Sequence, residues 1–301
     1  MNYSQTDLAM ENIRDDSHQP GTDVHQWEAA GIQITEVIIK TDAAAERIGK
    51  PQGRYLTLCC PLLSQHDPDA RIAMSNLLGD ELSRLIAPAD GAPVMVVGLG
   101  NRGVTPDALG PAAIDKTLVT RHMLSSPYAP PHMRSVCAIA PGVLGITGIE
   151  TVEMVESLAA KLKPRMIVCI DSLAARDASR IGCTVQISDA GIQPGSGVGN
   201  HRKPLTRDTV GVDVIAVGVP TVIYAATLAR DAFTLLSPDQ NDEQALAAIE
   251  RDLLRTELGT LIVTPRDIDL IIADCAAVIA GGINRALQPD LTDAQISEMM
   301  N

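Results

Sequence analysis

Met166-Ile167-Val168-Cys169-Ile170 is an unbroken apolar run that stops at Asp171. Lys163-Pro164 precedes it, so the run is short and bounded. It reads as a strand buried on both faces. The same grammar repeats outward. Upstream, Thr147 to Lys163 reads as a helix, with Glu150 placed to form a capping box with Thr147. Before that, Ser135 to Ala140 (SVCAIA) is a strand ending at Pro141-Gly142, and Val94 to Val97 (VMVV) is another that runs into Gly98. Thr105 as N-cap and Pro106 at the first helical position predict a helix reaching about Val119.

Downstream, Thr184 to Ile187 and Val214 to Val219 are strands, the first ending near Asp189. Thr221 to Ala232, Ala245 to Leu258 and Pro265 to Ala286 read as helices, the last with a break expected at Gly281-Gly282. Nearer the start, Ile32 to Lys40 and Tyr55 to Cys60 are strands, and residues 69–87 carry apolar positions at helical spacing. Residues 1–30 are polar and acidic and are expected to lack regular structure up to about Gly31. Strands alternating with helices predict a single α/β domain, a three-layer sandwich with a mainly parallel central sheet.

Composition agrees. Of 301 residues 46% are apolar but only 2% aromatic, so Val, Ile, Leu, Ala and Met must fill the core. The net charge of −13 argues against direct nucleic-acid binding, which needs a basic surface. Cysteines 59, 60, 137, 169, 183 and 275 contain no CxxC pair, which argues against a zinc site and fits a reducing compartment. No apolar run approaches the ~18 residues of a spanning helix, and the chain does not open on a basic then apolar stretch. The expectation is a soluble, cytoplasmic protein with no membrane partner.

In open α/β sheets ligands bind beyond the carboxyl ends of the strands. Gly98-Leu99-Gly100-Asn101-Arg102-Gly103 lies at one such end and matches a dinucleotide fingerprint, which keeps a nucleotide-binding oxidoreductase open. The helix, however, starts at Pro106 and not within the glycines, so tight helix–sheet packing is the plainer reading. Gly195-Ser196-Gly197-Val198-Gly199-Asn200 resembles a phosphate loop without its Gly-Lys-Ser/Thr ending. No histidine or cysteine stands at catalytic or metal-ligand spacing. The acids at strand ends remain. An ionised Asp171 directly after an apolar run is costly unless paired or used. Asp107 could instead complement a helix dipole, and Asp189 an Asx-turn. Glu150 follows another strand end. Should Asp107 and Asp171 converge, repulsion would raise one pKa and leave the other ionised, giving one acid and one base for a hydrolytic water. The same acids could serve a metal- or protein-binding module.

The chain resembles the germination protease family of spore-forming bacteria. The resemblance is densest in Val97 to Asn101, Val104-Thr105-Pro106-Asp107-Ala108-Leu109-Gly110-Pro111, Ala140 to Thr151, Ile170 to Arg176, Ile187 to Asn200, Gly218 to Val222 and Val263-Thr264-Pro265. It implies an aspartic-type endopeptidase, similar in fold to hydrogenase-maturation proteases, whose two essential aspartates fall on Asp107 and Asp171. It implies small acid-soluble spore proteins as substrate, cut after an acidic residue in a Thr-Glu-(apolar)-Ala context, and a homotetramer in the spore core that needs no cofactor or metal. It also implies a self-processing zymogen. Thr6-Asp7-Leu8-Ala9 resembles the cleavage context, which predicts cutting between Asp7 and Leu8, a propeptide of residues 1–7 and a peptidase domain of residues 8–301.

Overall fold

The computed structural model of the chain describes residues 6–13, 19–86, 91–127, 129–193, 203–236 and 261–300, with isolated positions between 248 and 259. The expected helix at Ala245–Leu258 and the glycine-rich stretch Gly195–Asn200 lie largely or wholly outside these residues.

The strands are β1 (Thr22–Ala29), β2 (Ile32–Ile39), β3 (Gly53–Cys59), β4 (Val94–Gly98), β5 (Val136–Ile139), β6 (Met166–Ala175), β7 (Thr184–Ser188), β8 (Asp213–Tyr224) and β9 (Ile262–Val263). Among the described residues they form one sheet in the order β1-β2-β3-β7-β8-β6-β4-β5, with β9 added on β8. Only β8–β6, β6–β4 and β4–β5 pair in parallel. The other pairings are antiparallel. The mainly parallel sheet expected from the apolar runs is therefore corrected to a mixed one. An unbroken apolar run reports burial on both faces, and β3 and β7 are buried as deeply as the parallel strands. It carries no information about direction.

Residues before Gly31 also depart from expectation, because β1 is regular. The β1–β2 hairpin turns through Ala30 (φ 53°) and Gly31 (φ 74°). Both are left-handed, as a two-residue type I′ turn requires. β1 is an edge strand with an exposed middle, so its composition is polar although its backbone is paired.

The helices are α1 (Asp42–Ile48), α2 (Pro68–Leu85), α3 (Leu109–Ile114), α4 (Leu144–Thr147), α5 (Thr151–Leu162), α6 (Arg207–Val210), α7 (Ala225–Leu236), α8 (Ile268–Leu287) and α9 (Asp293–Met300). Side chains alternate across a strand. Val96, Val168, Ile170, Ile215 and Val217 meet α2, α3 and α8 on one face. Met95, Val97, Ile167, Cys169 and Val214 meet α5 on the other. Met74, Leu78 and Leu82 of α2 are fully buried, each contributing about 1.5–3 kcal/mol. α8 runs unbroken through Gly281-Gly282, where a break was expected. A Cβ on Gly282 would lie 2.8 Å from Leu78 Cγ, so this glycine lets α2 and α8 approach closely. By length and composition α8 could cross a membrane, but 67% of the qualifying window is buried in this fold. The sequence shows no such run because Asp269, Asp274 and Asn284 interrupt it.

Other boundaries moved for identifiable reasons. The helix expected from Thr105 to Val119 is a 3-10 turn, Thr105–Asp107, followed by α3. Pro111 has no N–H and clashes deep inside a helix, so the helix restarts at Leu109, near enough to tolerate it. The helix expected from Thr147 to Lys163 is split at Gly148 (φ 69°). Glu150 is the N-cap position of α5, without a side-chain cap bond. β8 absorbs Thr221, so α7 starts only at Ala225.

The carboxyl end of β4 is held by backbone packing. A Cβ on Gly98 would lie 2.4 Å from Gly110 O, and one on Gly100 (φ 113°) 2.0 Å from Asp107 O. Gly100→Ala is expected to cost about 2–5 kcal/mol from strain plus overpacking. Gly145→Ala, with nothing within 4 Å of the new Cβ, should change stability by under about 0.5 kcal/mol; urea denaturation compares them. A second expectation concerns His66, whose Nδ1 lies 2.7 Å from Asp274 and Nε2 3.4 Å from Asp267 on and beside α8, with Arg71 also on Asp274. The bond to Asp274 foremost raises its pKa above the ordinary 6.5. A raised folded-state pKa contributes stability that is complete below the unfolded value and is lost as pH rises through the folded one. His66→Asn should therefore lower Tm most near about pH 5.5 and least near about pH 9.

Candidate active site

β4 ends at Gly98, opposite Ile170 of β6. β6 and β8 run on together, with a register shift between Leu173 and Ala174. Asp171 is thus not at the end of its own strand, as its apolar lead-in suggested. It is the first residue of β6 beyond the end of β4. There a cavity of about 540 Å³ opens, lined by Asp107 and Asp171 together, with Leu99, Gly100, Ser172 and Leu173 between and beside them. Asp171 is only 6% exposed and its Oδ1 accepts from Ser172 N at 2.9 Å. Asp107 is half-buried on the 3-10 turn. Its backbone is pinned: Asn101 N donates to Asp107 O at 2.9 Å and Asp107 N to Val104 O at 2.8 Å. Two carboxylates in one largely apolar cavity can supply an acid and a base.

The glycines that suggested a dinucleotide are accounted for by this packing. Gly100 abuts Asp107's own backbone and Gly98 that of Gly110, and Gly103 N donates to the Asn101 side chain. Among the described residues, no three His, Cys, Asp or Glu side chains converge to hold a metal ion.

The other candidates are placed as follows. Asp189 is exposed, and its Oδ1 accepts from Arg54 N at 2.7 Å, closing the start of β3 onto β7. Glu150 is half-buried at the start of α5. Neither lines the cavity, although Thr151 beside Glu150 and Ala190 beside Asp189 do.

Asp7 lines the cavity as well. Residues 6–13, expected to be loose, are docked. Asp7 N donates to Ala174 O at 2.8 Å, and Ala174 N to Asp7 Oδ2 at 2.9 Å. Asp7 therefore pairs with the stretch of β6 that β4 leaves uncovered. Lys50 Nζ lies 3.5 Å from its other oxygen. Leu8 is fully buried against Leu173 and Ala175, and Ala9 against Val37 and Ile39. Gln186 of β7 spans the next bond: its Nε2 donates to Asp7 O at 3.0 Å and its Oε1 accepts from Ala9 N at 2.8 Å.

Glu11 anchors the far end of this segment. It is 5% exposed and accepts from Arg176 N at 2.8 Å and Asp177 N at 3.0 Å, with Arg180 Nε at 3.2 Å. Thr6 also bonds its carboxylate. Burial is offset here by several donors and a cation. Burial also holds the Tyr55 hydroxyl on the cavity wall neutral, and burial followed by the charge of Asp7 does so for Tyr224. The sequence reading missed Glu11 and Gln186. Glu11 sits in a polar stretch where acids look like surface, and Gln186 is one polar position in a strand, where alternation explains it equally well.

Comparison with known proteins bears on this arrangement. The family model Peptidase_A25, described as germination protease, matches residues 3–239. The chain is 41% identical to the germination protease of Clostridium acetobutylicum over the whole of both chains. It is 40% identical to that of Clostridium perfringens strain ATCC 13124, over 99% of each. It is 36% identical to that of Bacillus subtilis strain 168, over 94% of this chain and 93% of the other. A match of that breadth, with a cavity holding two aspartates and an acidic residue of the chain's own N-terminal segment, assigns the chain to the germination protease family.

Proposed function

We propose that Asp107 and Asp171 form the catalytic pair of an endopeptidase that cuts first its own chain, between Asp7 and Leu8, and then small acid-soluble spore proteins during germination. The observation that carries this reading is the shared cavity: both aspartates and Asp7 line it, and the bond after Asp7 is buried beside it. One aspartate, ionised, takes a proton from water. The other, protonated, gives a proton to the leaving amine. Residues 1–7 are the propeptide and 8–301 the peptidase domain. Of that propeptide, Thr6 and Asp7 lie against Ala174 beside the cavity, and this contact would be what holds the precursor inactive. Spore proteins cut after Glu in a Thr-Glu-(apolar)-Ala context would present the same acid-then-apolar pair as Asp7-Leu8.

The finer attributes follow the resemblance: a fold similar to that of hydrogenase-maturation proteases, a homotetramer, and a place in the cytoplasm of the spore core. Asp189 and Glu150 do not line the cavity but each adjoins in sequence a residue that does, and a supporting role for either is the lesser part of the proposal.

Asp107→Asn and Asp171→Asn are each expected to reduce cleavage at Asp7–Leu8, and of a Thr-Glu-Ile-Ala peptide, by at least about 10²-fold. The far-ultraviolet circular dichroism should not change. Intact-mass measurement over time reads the first reaction and chromatography the second; two active variants would refute the pair. Glu11→Gln should loosen the docked segment, raising amide hydrogen exchange over residues 8–12 while leaving exchange in β6 within about twofold, because charge-assisted bonds are about twice as strong as neutral ones.

A further inference from the structure

The carbonyl of the bond that the preceding reading says is cut already has a donor aimed at its oxygen. Gln186 Nε2 stands 3.0 Å from Asp7 O, and Gln186 Oε1 holds Ala9 N at 2.8 Å. The orientation of the amide is not arbitrary. A carbonyl oxygen needs a donor and an N–H needs an acceptor, so only one orientation satisfies both partners. The side chain grips the chain on each side of Asp7–Leu8. It does so from a rigid place. Gln186 lies in the middle of β7, paired with Thr57 of β3 on one side and Gly218 of β8 on the other. It is 7% exposed and lines the cavity that holds Asp107 and Asp171. A neutral amide cannot lose its proton at any working pH, so its donor is constant while the carboxyls titrate. Fixed dipoles in a cavity with apolar walls stabilise developing charge more than water does.

We propose that Gln186 is a catalytic residue of this enzyme, an oxyanion donor for the carbonyl under attack, first of Asp7 and then of the substrate's acidic residue. This rests on Asp7–Leu8 being a cleaved bond. In the step, a water oxygen bonds to the Asp7 carbonyl carbon, and its proton passes to the ionised aspartate. The carbonyl π pair moves onto oxygen, where Gln186 Nε2–H meets the negative charge. The pair then returns, the carbon–nitrogen bond breaks, and Leu8 N leaves with the proton of the second aspartate. A carboxyl group and an amine result, with one water consumed.

The test is Gln186→Met, which keeps the volume and removes the donor, beside Gln186→Glu, which keeps the acceptor for Ala9 N. In the full chain the segment is already docked, so cutting at Asp7–Leu8 is first order and free of any encounter step, while the peptide's KM reads docking apart from chemistry. Both variants should slow it about 10²–10³-fold, the usual effect of losing one oxyanion donor. On a Thr-Glu-Ile-Ala peptide kcat should fall likewise, with KM within about threefold. A KM increase with unchanged kcat would make Gln186 a docking residue only and overturn the inference, as would wild-type rates in both variants. Thermal melts confirm folding, and Gln186→Glu carries the test alone should Gln186→Met unfold. Wild-type chain that leaves both its own N-terminus and the peptide uncut overturns the protease reading itself. Wild-type cleavage with undiminished turnover in the variants overturns only the role of Gln186.

Discussion

Backbone rests on backbone at the carboxyl end of β4, and the geometry of the site depends on it. Gly98 and Gly100 on one side and Gly110 and Asp107 on the other approach to distances that leave no space for a Cβ. That contact turns the chain sharply after the strand, brings the Thr105–Asp107 turn back over the strand end, and leaves Asp107 on the same cavity as Asp171. Side-chain contacts tolerate small repacking, whereas opposed backbones do not. The glycines that resemble a nucleotide loop are therefore spent on positioning a carboxylate.

The second constraint is a difference in strand length. β4 stops while β6 and β8 continue. The overrun leaves a stretch of β6 beyond the edge that β4 covers, and such a stretch can take an extended segment. The chain's own residues fill it, with Asp7 on Ala174. The seat of Asp7 and the placing of Asp171 are thus one feature of the sheet. The strand that carries Asp171 also carries Ala174, on which Asp7 rests.

The docked segment is held at three points of different chemistry. Asp7 takes backbone bonds from β6, Leu8 and Ala9 take apolar contacts, and Glu11 takes the N–H groups and the arginine that follow β6. Gln186 adds a grip across the bond between the first two. Such an arrangement fixes register as well as affinity, since a shift by one residue would place an apolar side chain on the charged sites.

By itself the sequence determined the α/β class, because strands apolar throughout and separated by helical periods have few other solutions. It singled out Asp171, because a carboxylate following five apolar residues is conspicuous in any fold. Asp107 stayed ambiguous with a helix-end role and was assigned through the family resemblance. Tertiary structure decided the rest. Strand direction was hidden because burial, not direction, sets an apolar run, so the antiparallel half was missed. The roles of Gly98, Gly100 and Gly110 needed the packing of elements about ten residues apart. Gln186, Glu11 and the order of residues 6–13 were illegible because their meaning lies in contacts roughly 170 residues away in the chain, between polar groups that look like ordinary surface until the sheet brings them together.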